Sequence, residues 1–419
     1  MHQEIEQKGK LARQAARRLA TLNTGAKNRA LQAIAEALLG QQETILTANQ
    51  RDLENGRQAG LSEAMLDRLL LNPQRLKGMA NDVLSVAALP DPVGEMFDSR
   101  TMPNGLQVSR CRVPIGVIGV IYESRPNVTV DIAALCLKSG NAVILRGGKE
   151  ATHSNRALAQ AVMAACRESG IPDGAVQLIE TTDRSVVKDM LTAGQYIDMI
   201  IPRGGASLHQ FALENATVPV ITGGIGICHV YVDYNADPEK VIPIIHNAKV
   251  QRPSVCNALD TLLIHQQVAA SLLPLIADDL VAAGVELRCE PRALAVLNGH
   301  PAVHAAAEHD FDTEFLSLVL AVKVVDGLDE AIDHIYQHST HHSDAIITEN
   351  YSHAMRFVKE VDSAVVYVNA STRFTDGGQL GLGSEVAVST QRLHARGPMG
   401  LTELTTYKWI VLGHGQVRG

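Results

Sequence analysis

At 419 residues the chain is too long for one ordinary hydrophobic core, so two or three domains are expected. It is 46% hydrophobic, only 4% aromatic, and carries 37 basic against 45 acidic residues with no basic cluster, which argues against nucleic acid as the main partner and against an aromatic platform for sugars or bases. No apolar run approaches a membrane span, the N-terminus reads as a charged amphipathic helix without a signal-peptide core, and the six cysteines (Cys111, Cys136, Cys166, Cys228, Cys256 and Cys289) lack a CxxC pair, so a cytoplasmic protein with reduced thiols is expected.

Residues 1–90 read as helices, with Leu11, Ala15, Leu19 and then Leu31, Ile34, Leu38 at helical spacing and Asn72-Pro73 as a cap followed by proline in the first turn. In 94–112 the turn signal Pro103-Asn104-Gly105 precedes LQVSRCR, whose alternation predicts a solvent-facing hairpin. PIGVIGVIYE (114–123) is then a continuous apolar run, as in a strand covered on both faces. A helix over 127–140, a strand over 141–148, a helix closed by Gly170, and the pairs AVQLIE/RSVVKDMLTAG and YIDMIIPRGG/ASLHQFALENA follow, with VPVITGG as a further strand. Repeated βα units of this length predict a doubly wound parallel sheet.

After HVYVD (229–233) the alternation restarts: helix 238–250, strand 259–264, helix 267–283, strands 285–289 and 318–325, helix 328–338, strand 343–348, helix 350–360 and strand 364–369. This predicts a second α/β domain, followed by a glycine-rich return over 370–397 that suits a functional loop.

Cys256 lies at the seam between helix 238–250 and strand 259–264, after a polar turn containing Arg252 and Ser254, with Lys249 just upstream. Positive charge beside a thiol lowers its pKa and makes it a better nucleophile, so Cys256 is the candidate; a buried structural thiol is the alternative. Arg146-Gly147-Gly148-Lys149 ends a predicted strand at its carboxyl end, where doubly wound sheets bind ligands, and its two cations suit a phosphate. A phosphate-binding P-loop is excluded because Val143 stands where its first glycine should be and Glu150 follows the lysine. Pro202-Arg203-Gly204-Gly205 opens a helix, a geometry suited to a phosphate on backbone N–H groups, and Thr222-Gly223-Gly224-Ile225-Gly226 lines the next turn. No GxGxxG is present. His334 and His338 lie four apart on one helix beside His341-His342, but no carboxylate is clearly positioned to join them, and no metal is expected.

The order of these elements, with VIGVIYESRPNVTVDIAALCLKSGNAVILRGGKE, DMIIPRGG, VPVITGGIGICHVYVD, QRPSVCN and the long C-terminal stretch from VYVNASTRF to TTYKWI, resembles the aldehyde dehydrogenase superfamily over essentially the whole chain. The resemblance implies an α/β fold of two doubly wound domains plus a small oligomerisation hairpin. Residues 1–93 and 113–233 would form an NADP-binding domain, with 370–397 packing near the cleft; 234–369 a catalytic domain carrying the nucleophile; and 94–112 with 398–419 the hairpin and its partner strand. A homodimer or a higher even-numbered oligomer is expected, because an unpaired hairpin and an apolar C-terminal strand are liabilities on a monomer.

The resemblance further implies NADPH-dependent reduction of L-glutamyl 5-phosphate to glutamate 5-semialdehyde through a cysteine thioester, the second step of proline biosynthesis. An acylating dehydrogenase using coenzyme A is the alternative. It also points to association with an upstream glutamate 5-kinase. Cys256 is then the nucleophile and Asn127 the oxyanion donor, an N-cap of its helix being the plainer reading of Asn127. Arg146, Gly147, Gly148, Lys149, Arg203, Gly204, Gly205, Thr222, Gly223 and Glu314 are the cofactor candidates. Lysine at 149, where NAD-preferring relatives carry a carboxylate, points to NADP(H). Thr222 replaces the glutamate that activates water in hydrolytic members, so phosphate is the expected acyl acceptor. Arg125, Arg252, Asn369, Ser371 and Arg373 are the substrate candidates, with Glu123 a further one for an ammonium group.

Overall fold

The computed structural model describes residues 2–223 and 225–418, so Gly224 of the Thr222–Gly226 turn lies outside the described residues. The chain divides into two compact units, Met1–Thr222 with Gly381–Ala387 and Met399–Gly419, and Gly223–Leu380 with Val388–Pro398.

The first unit opens with helices Gln3–Leu19, Thr24–Gly40, Gln42–Gln58, Glu63–Leu69 and Pro73–Ala88. Asn23 and Asn72 cap two of them, their Oδ1 atoms accepting from Ala26 N at 2.9 Å and Arg75 N at 2.8 Å. The buried stripe of the first helix is Ile5, Gly9, Ala12, Ala15, Ala16 and Leu19, and Leu11 lies off it, 45% exposed. Small residues win because the helix packs closely: a Cβ on Gly9 would clash with the Tyr196 ring.

The sheet of this unit is parallel, in the order Val176–Leu178, Ala142–Gly147, Val117–Tyr122, Met199–Arg203. Its central strand is buried throughout, as the unbroken apolar run requires. The expected strand VPVITGG is reduced to one bridge, Ile200 to Val220. Ile200 N donates to Pro219 O and Ile221 N to Ile200 O, but Pro219 has no N–H with which to extend the ladder.

Met96–Thr101, Gln107–Pro114 and Thr405–Leu412 form a separate antiparallel sheet with Thr405–Leu412 at one edge. The expected hairpin is therefore paired within the chain by the C-terminal strand. Arg110 lies over the Tyr407 and Trp409 rings at 4.6 and 4.7 Å, and Trp409 stays 46% exposed.

The second unit holds a parallel sheet in the order Val303–Ala305, Glu286–Cys289, Val319–Val325, Leu259–His265, Cys228–Val232, Ser343–Ile347, Val365–Val368. Alternate residues face two cores. Val230, Leu262, Ile264 and Ala345 join Val241, Ile245 and Leu273, from helices Pro238–Val250 and Gln266–Ala282. Tyr231, Leu263 and Ile346 meet Ala331, Ile335 and Phe357, from Leu328–His338 and Tyr351–Glu360. This is the doubly wound arrangement.

Two expected boundaries move. The units divide at Thr222/Gly223 and not at 233, because Cys228–Val232 is hydrogen-bonded between Leu259–His265 and Ser343–Ile347. The return segment is shared: 381–387 belong to the first unit, 370–380 and 388–398 to the second. Among the described residues no helix is long and apolar enough to cross a membrane.

Candidate active site

Cys256 stands half-buried in the turn between Pro238–Val250 and Leu259–His265. Its carbonyl is gripped from behind. Cys228 Sγ donates to the Cys256 oxygen at 3.2 Å, and a Cβ on Gly226 would fall on that same carbonyl. Burial, with Asp344 and Asp260 nearby, holds the Cys228 thiol well above its ordinary pKa, so it remains an S–H donor. Gly226 N–H donates to Glu314 Oε1 at 2.9 Å, and burial raises the Glu314 pKa. Glu314, Gly226, Cys228 and the Cys256 turn thus form one connected piece of the second unit. Gly226 was visible in sequence only as part of a glycine-rich turn, and Cys228 carried no signal.

Asn257 latches the return segment onto this turn. Its Nδ2 donates to Thr375 O at 2.9 Å, its carbonyl accepts from Thr372 Oγ1 at 2.7 Å, and its Oδ1 accepts from Arg373. Arg373 Nε also donates to Gln251 Oε1 at 2.8 Å. Burial and then Arg252 lower the Arg373 pKa, while Cys256 and Asp376 oppose them. Two guanidinium groups near Cys256 favour a thiolate and an anionic substrate. The buried Ser371 Oγ accepts from Arg373 N at 3.2 Å, setting the bend that aims the arginine.

Two residues depart from their expected places. Lys249 does not reach the turn's surface: it is fully buried, and its ammonium donates to Leu259 O at 2.8 Å and pairs with Asp260 at 3.3 Å. Asn369 exchanges hydrogen bonds of 2.9 Å with Thr348 N and O, past the carboxyl end of Ser343–Ile347. Cys256 precedes the amino end of Leu259–His265, so within this parallel sheet Asn369 lies toward the opposite end and is not brought to Cys256.

In the first unit Asn127 precedes helix Val128–Lys138 with αR backbone angles of −56° and −32° and makes no side-chain cap. The capping reading therefore fails: a cap needs extended backbone at that position. Its Nδ2 instead donates to Asp131 Oδ2 at 2.8 Å. Arg125 is exposed on the same loop. Glu123, a candidate for an ammonium group, turns to the amino end of Ala206–Asn215, where its Oε2 accepts from Gly205 N at 3.1 Å and leaves no room for a Cβ on Gly204. A carboxylate thus sits on the N–H group expected to hold a phosphate, beside Arg203.

Arg146 is buried at the end of Ala142–Gly147, with Nη2 on Thr182 O at 3.3 Å, and burial lowers its pKa. Gly147 lies against Asn155 and Gly148 against Glu150, whose Oε1 accepts from Ser124 N at 2.6 Å and Ser124 Oγ at 2.8 Å. Lys149 is exposed and makes no ion pair among the described residues. A groove lined by Gly147, Gly148, Arg156 and Glu180–Thr182 runs along the carboxyl ends of Ala142–Gly147 and Val176–Leu178. Arg146 Nε and Arg156 Nε are buried without hydrogen-bond partners, and Arg156 Nη2 pairs with Glu180 Oε2 at 3.2 Å. The Arg146 guanidinium and the Lys149 ammonium give this end of the sheet positive charge that suits a polyanion. Thr222 is buried at the end of this unit, and Gly223 opens the next with its backbone against the Val388 carbonyl.

Among the described residues no group of three or more His, Cys, Asp or Glu is disposed to hold a metal. His338 Nδ1 is 2.7 Å from Asp312, and burial lowers the pKa of His334.

A half-buried cysteine turn on a doubly wound unit and a basic groove at the carboxyl ends of a parallel sheet without GxGxxG suit an oxidoreductase of the α/β class. The model of the aldehyde dehydrogenase family matches residues 2–291, and the chain belongs to that family of oxidoreductases. Within it the chain groups with the gamma-glutamyl phosphate reductases. It is 58% identical over 420 residues to that of Roseiflexus castenholzii, covering 99% of each chain. It is 57% identical to that of an Enterobacter species over 99% of this chain and 100% of the other. The crystal structure of gamma-glutamyl phosphate reductase from Thermotoga maritima superposes with a TM-score of 0.97 at 50% identity, covering 99% of this chain and 100% of that one.

Proposed function

We propose that the chain reduces L-glutamyl 5-phosphate to L-glutamate 5-semialdehyde with release of phosphate, using NADPH, as the second step of proline biosynthesis. The observation that carries this reading is the half-buried Cys256 turn with Arg252 and Arg373 as charged neighbours; the names of the relatives support the substrate.

In the proposed mechanism the Cys256 thiolate attacks the acyl carbon, and an S–C bond replaces the bond to the phosphate oxygen. The Cys256 backbone N–H and the Asn127 amide stabilise the oxyanion, Arg252 eases departure of phosphate, and Arg373 pairs with the α-carboxylate, with Ser371 and Arg125 as further substrate contacts. The reduced nicotinamide, when bound, supplies the hydride that turns thioester into thiohemiacetal. Collapse of that adduct returns the thiolate and releases the aldehyde. Arg146, Lys149 and the glycines beside them would hold the adenosine end of the cofactor, with Arg203, Thr222 and Gly223 along its phosphates. Glu314, anchored by Gly226, would meet the nicotinamide ribose.

Lys149→Glu is expected to raise the KM for NADPH about 10–100-fold, since a carboxylate would repel the 2′-phosphate, with little change for NADH. Equal losses for both cofactors would show that Lys149 does not read that phosphate.

Thr222 cannot serve as a base for water at neutral pH, so the thioester is expected to exchange with phosphate. In the oxidative direction, NADP⁺ reduction with glutamate 5-semialdehyde should depend on added phosphate or arsenate. Sustained reduction in phosphate-free buffer, yielding glutamate, would overturn the acyl-phosphate reading. Restoration by coenzyme A and not by phosphate would favour the acylating alternative.

The edge strand Thr405–Leu412, with exposed Trp409 and Val411, is proposed as the face through which copies of the chain assemble. Sedimentation should show a dimer or a higher even-numbered oligomer at micromolar concentration; a monomer there would refute it.

A further inference from the structure

Helix Val128–Lys138 begins without a side-chain cap, and the Asn127 amide donates forward to Asp131 Oδ2 at 2.8 Å, one turn on. The second carboxylate oxygen, Asp131 Oδ1, is buried with no hydrogen-bond partner. Burial raises the Asp131 pKa to about 7. Asp82, from helix Pro73–Ala88, adds to the rise, and the Asn127 bond and Arg203, at the end of Met199–Arg203, oppose it. Asp82 is itself raised by burial.

For folding alone this aspartate is a burden. A buried acceptor without a partner costs stability, and so does a carboxyl that burial keeps from ionising. The sign follows from linkage. The folded pKa lies above the unfolded value, so the folded state binds the proton more tightly. Stability therefore falls as pH rises from the ordinary aspartate range to about 7, and the full penalty is present above it. An apolar side chain of similar size would remove both costs.

An asparagine amide has two nearly isosteric ends, one a donor and one an acceptor. An oxyanion donor works only if the NH₂ end faces the developing charge, because a half-turn of the amide would present Oδ1 and repel it. We propose that Asp131 is the positioning residue for Asn127: its Oδ2 takes one N–H of the amide, fixes which end is Nδ2, and leaves the second N–H for the oxyanion. The inference rests on Asn127 being the oxyanion donor.

The test is a double-mutant cycle on the full-length enzyme, with kcat and KM measured for glutamate 5-semialdehyde, phosphate and NADP⁺, and thermal melting of each variant. Asp131→Leu should lower kcat about 10–100-fold with the KM for NADP⁺ changed by less than about two-fold, and its Tm should be equal to or above wild type. Asp131→Asn, whose own amide can turn either end toward Asn127 and so fixes neither, should also lower kcat, by no more than Asp131→Leu. Asn127→Ala/Asp131→Leu should be no slower than Asn127→Ala alone, since two residues acting through one donor are not additive. An Asp131→Leu enzyme with wild-type kcat would overturn the inference. So would losses that multiply in the double variant. Should Asn127→Ala itself retain full turnover, the oxyanion reading fails first, and that result is distinguishable from the others.

Discussion

Cys256→Ala is expected to abolish turnover, a loss of at least about 10³–10⁴-fold, while NADPH still binds. The competing cysteines are disabled by their surroundings. Burial raises Cys136, Cys166, Cys228 and Cys289, with Cys166 and Cys289 pushed to about 12, so none of the four supplies a useful thiolate at neutral pH. Only Cys111 and Cys256 are half-buried among the six, and Cys111 lies on the antiparallel strand Gln107–Pro114 of the first unit. Alkylation at neutral pH should therefore label Cys256 first, and substrate should protect it. Substantial activity in the alanine variant, or substrate protection of Cys111 instead, would remove Cys256 from the mechanism. Because Cys256 is not among the residues proposed to hold the cofactor, NADPH titration by fluorescence should give a Kd close to wild type.

The next largest effect is expected at Asn127. Its replacement by alanine should lower kcat about 10²–10³-fold, equivalent to about 2.7–4 kcal/mol of transition-state stabilisation, with the cofactor KM nearly unchanged. Loss of a true N-cap would typically destabilise the protein by about 1 kcal/mol. Asn127 makes no cap bond, but the variant strips the buried Asp131 Oδ2 of its hydrogen bond, so a modest fall in melting temperature is expected from that source and the loss of kcat is what identifies the oxyanion role. A variant with normal kcat and a lowered Tm would mean that the asparagine is structural after all.

The cysteine seam and the βα alternation were legible in the sequence because they are local patterns. Strands buried on both faces read as unbroken apolar runs, and Val117–Tyr122 is such a run. Helix ends were marked by Gly140 and Gly170, both at a φ of +76°, a left-handed conformation glycine adopts without strain. Asn72-Pro73 marked a beginning in the same way. Cys256 stood out because the polar turn, the arginine and the following apolar strand are all within a few residues of it. Family resemblance added the roles that local chemistry left open, above all at Asn127 and Lys149.

Pairings between distant segments were not legible. The amino acids themselves determined two runs of βα units, a cysteine at the second seam and a pair of cations flanking Gly147-Gly148. Tertiary structure alone decided that Cys228–Val232 joins the later sheet, since strand identity is local but strand partnership depends on where the chain returns. It alone put Glu123 on Gly205, 82 residues away, and turned Lys149's neighbour Glu150 onto Ser124. It sank Lys249 onto Asp260 and bound Asn127 to Asp131 in place of a cap. Periodicity says which face of an element is apolar, but a polar side chain takes whichever partner folding brings within about 3 Å, and burial then sets its charge.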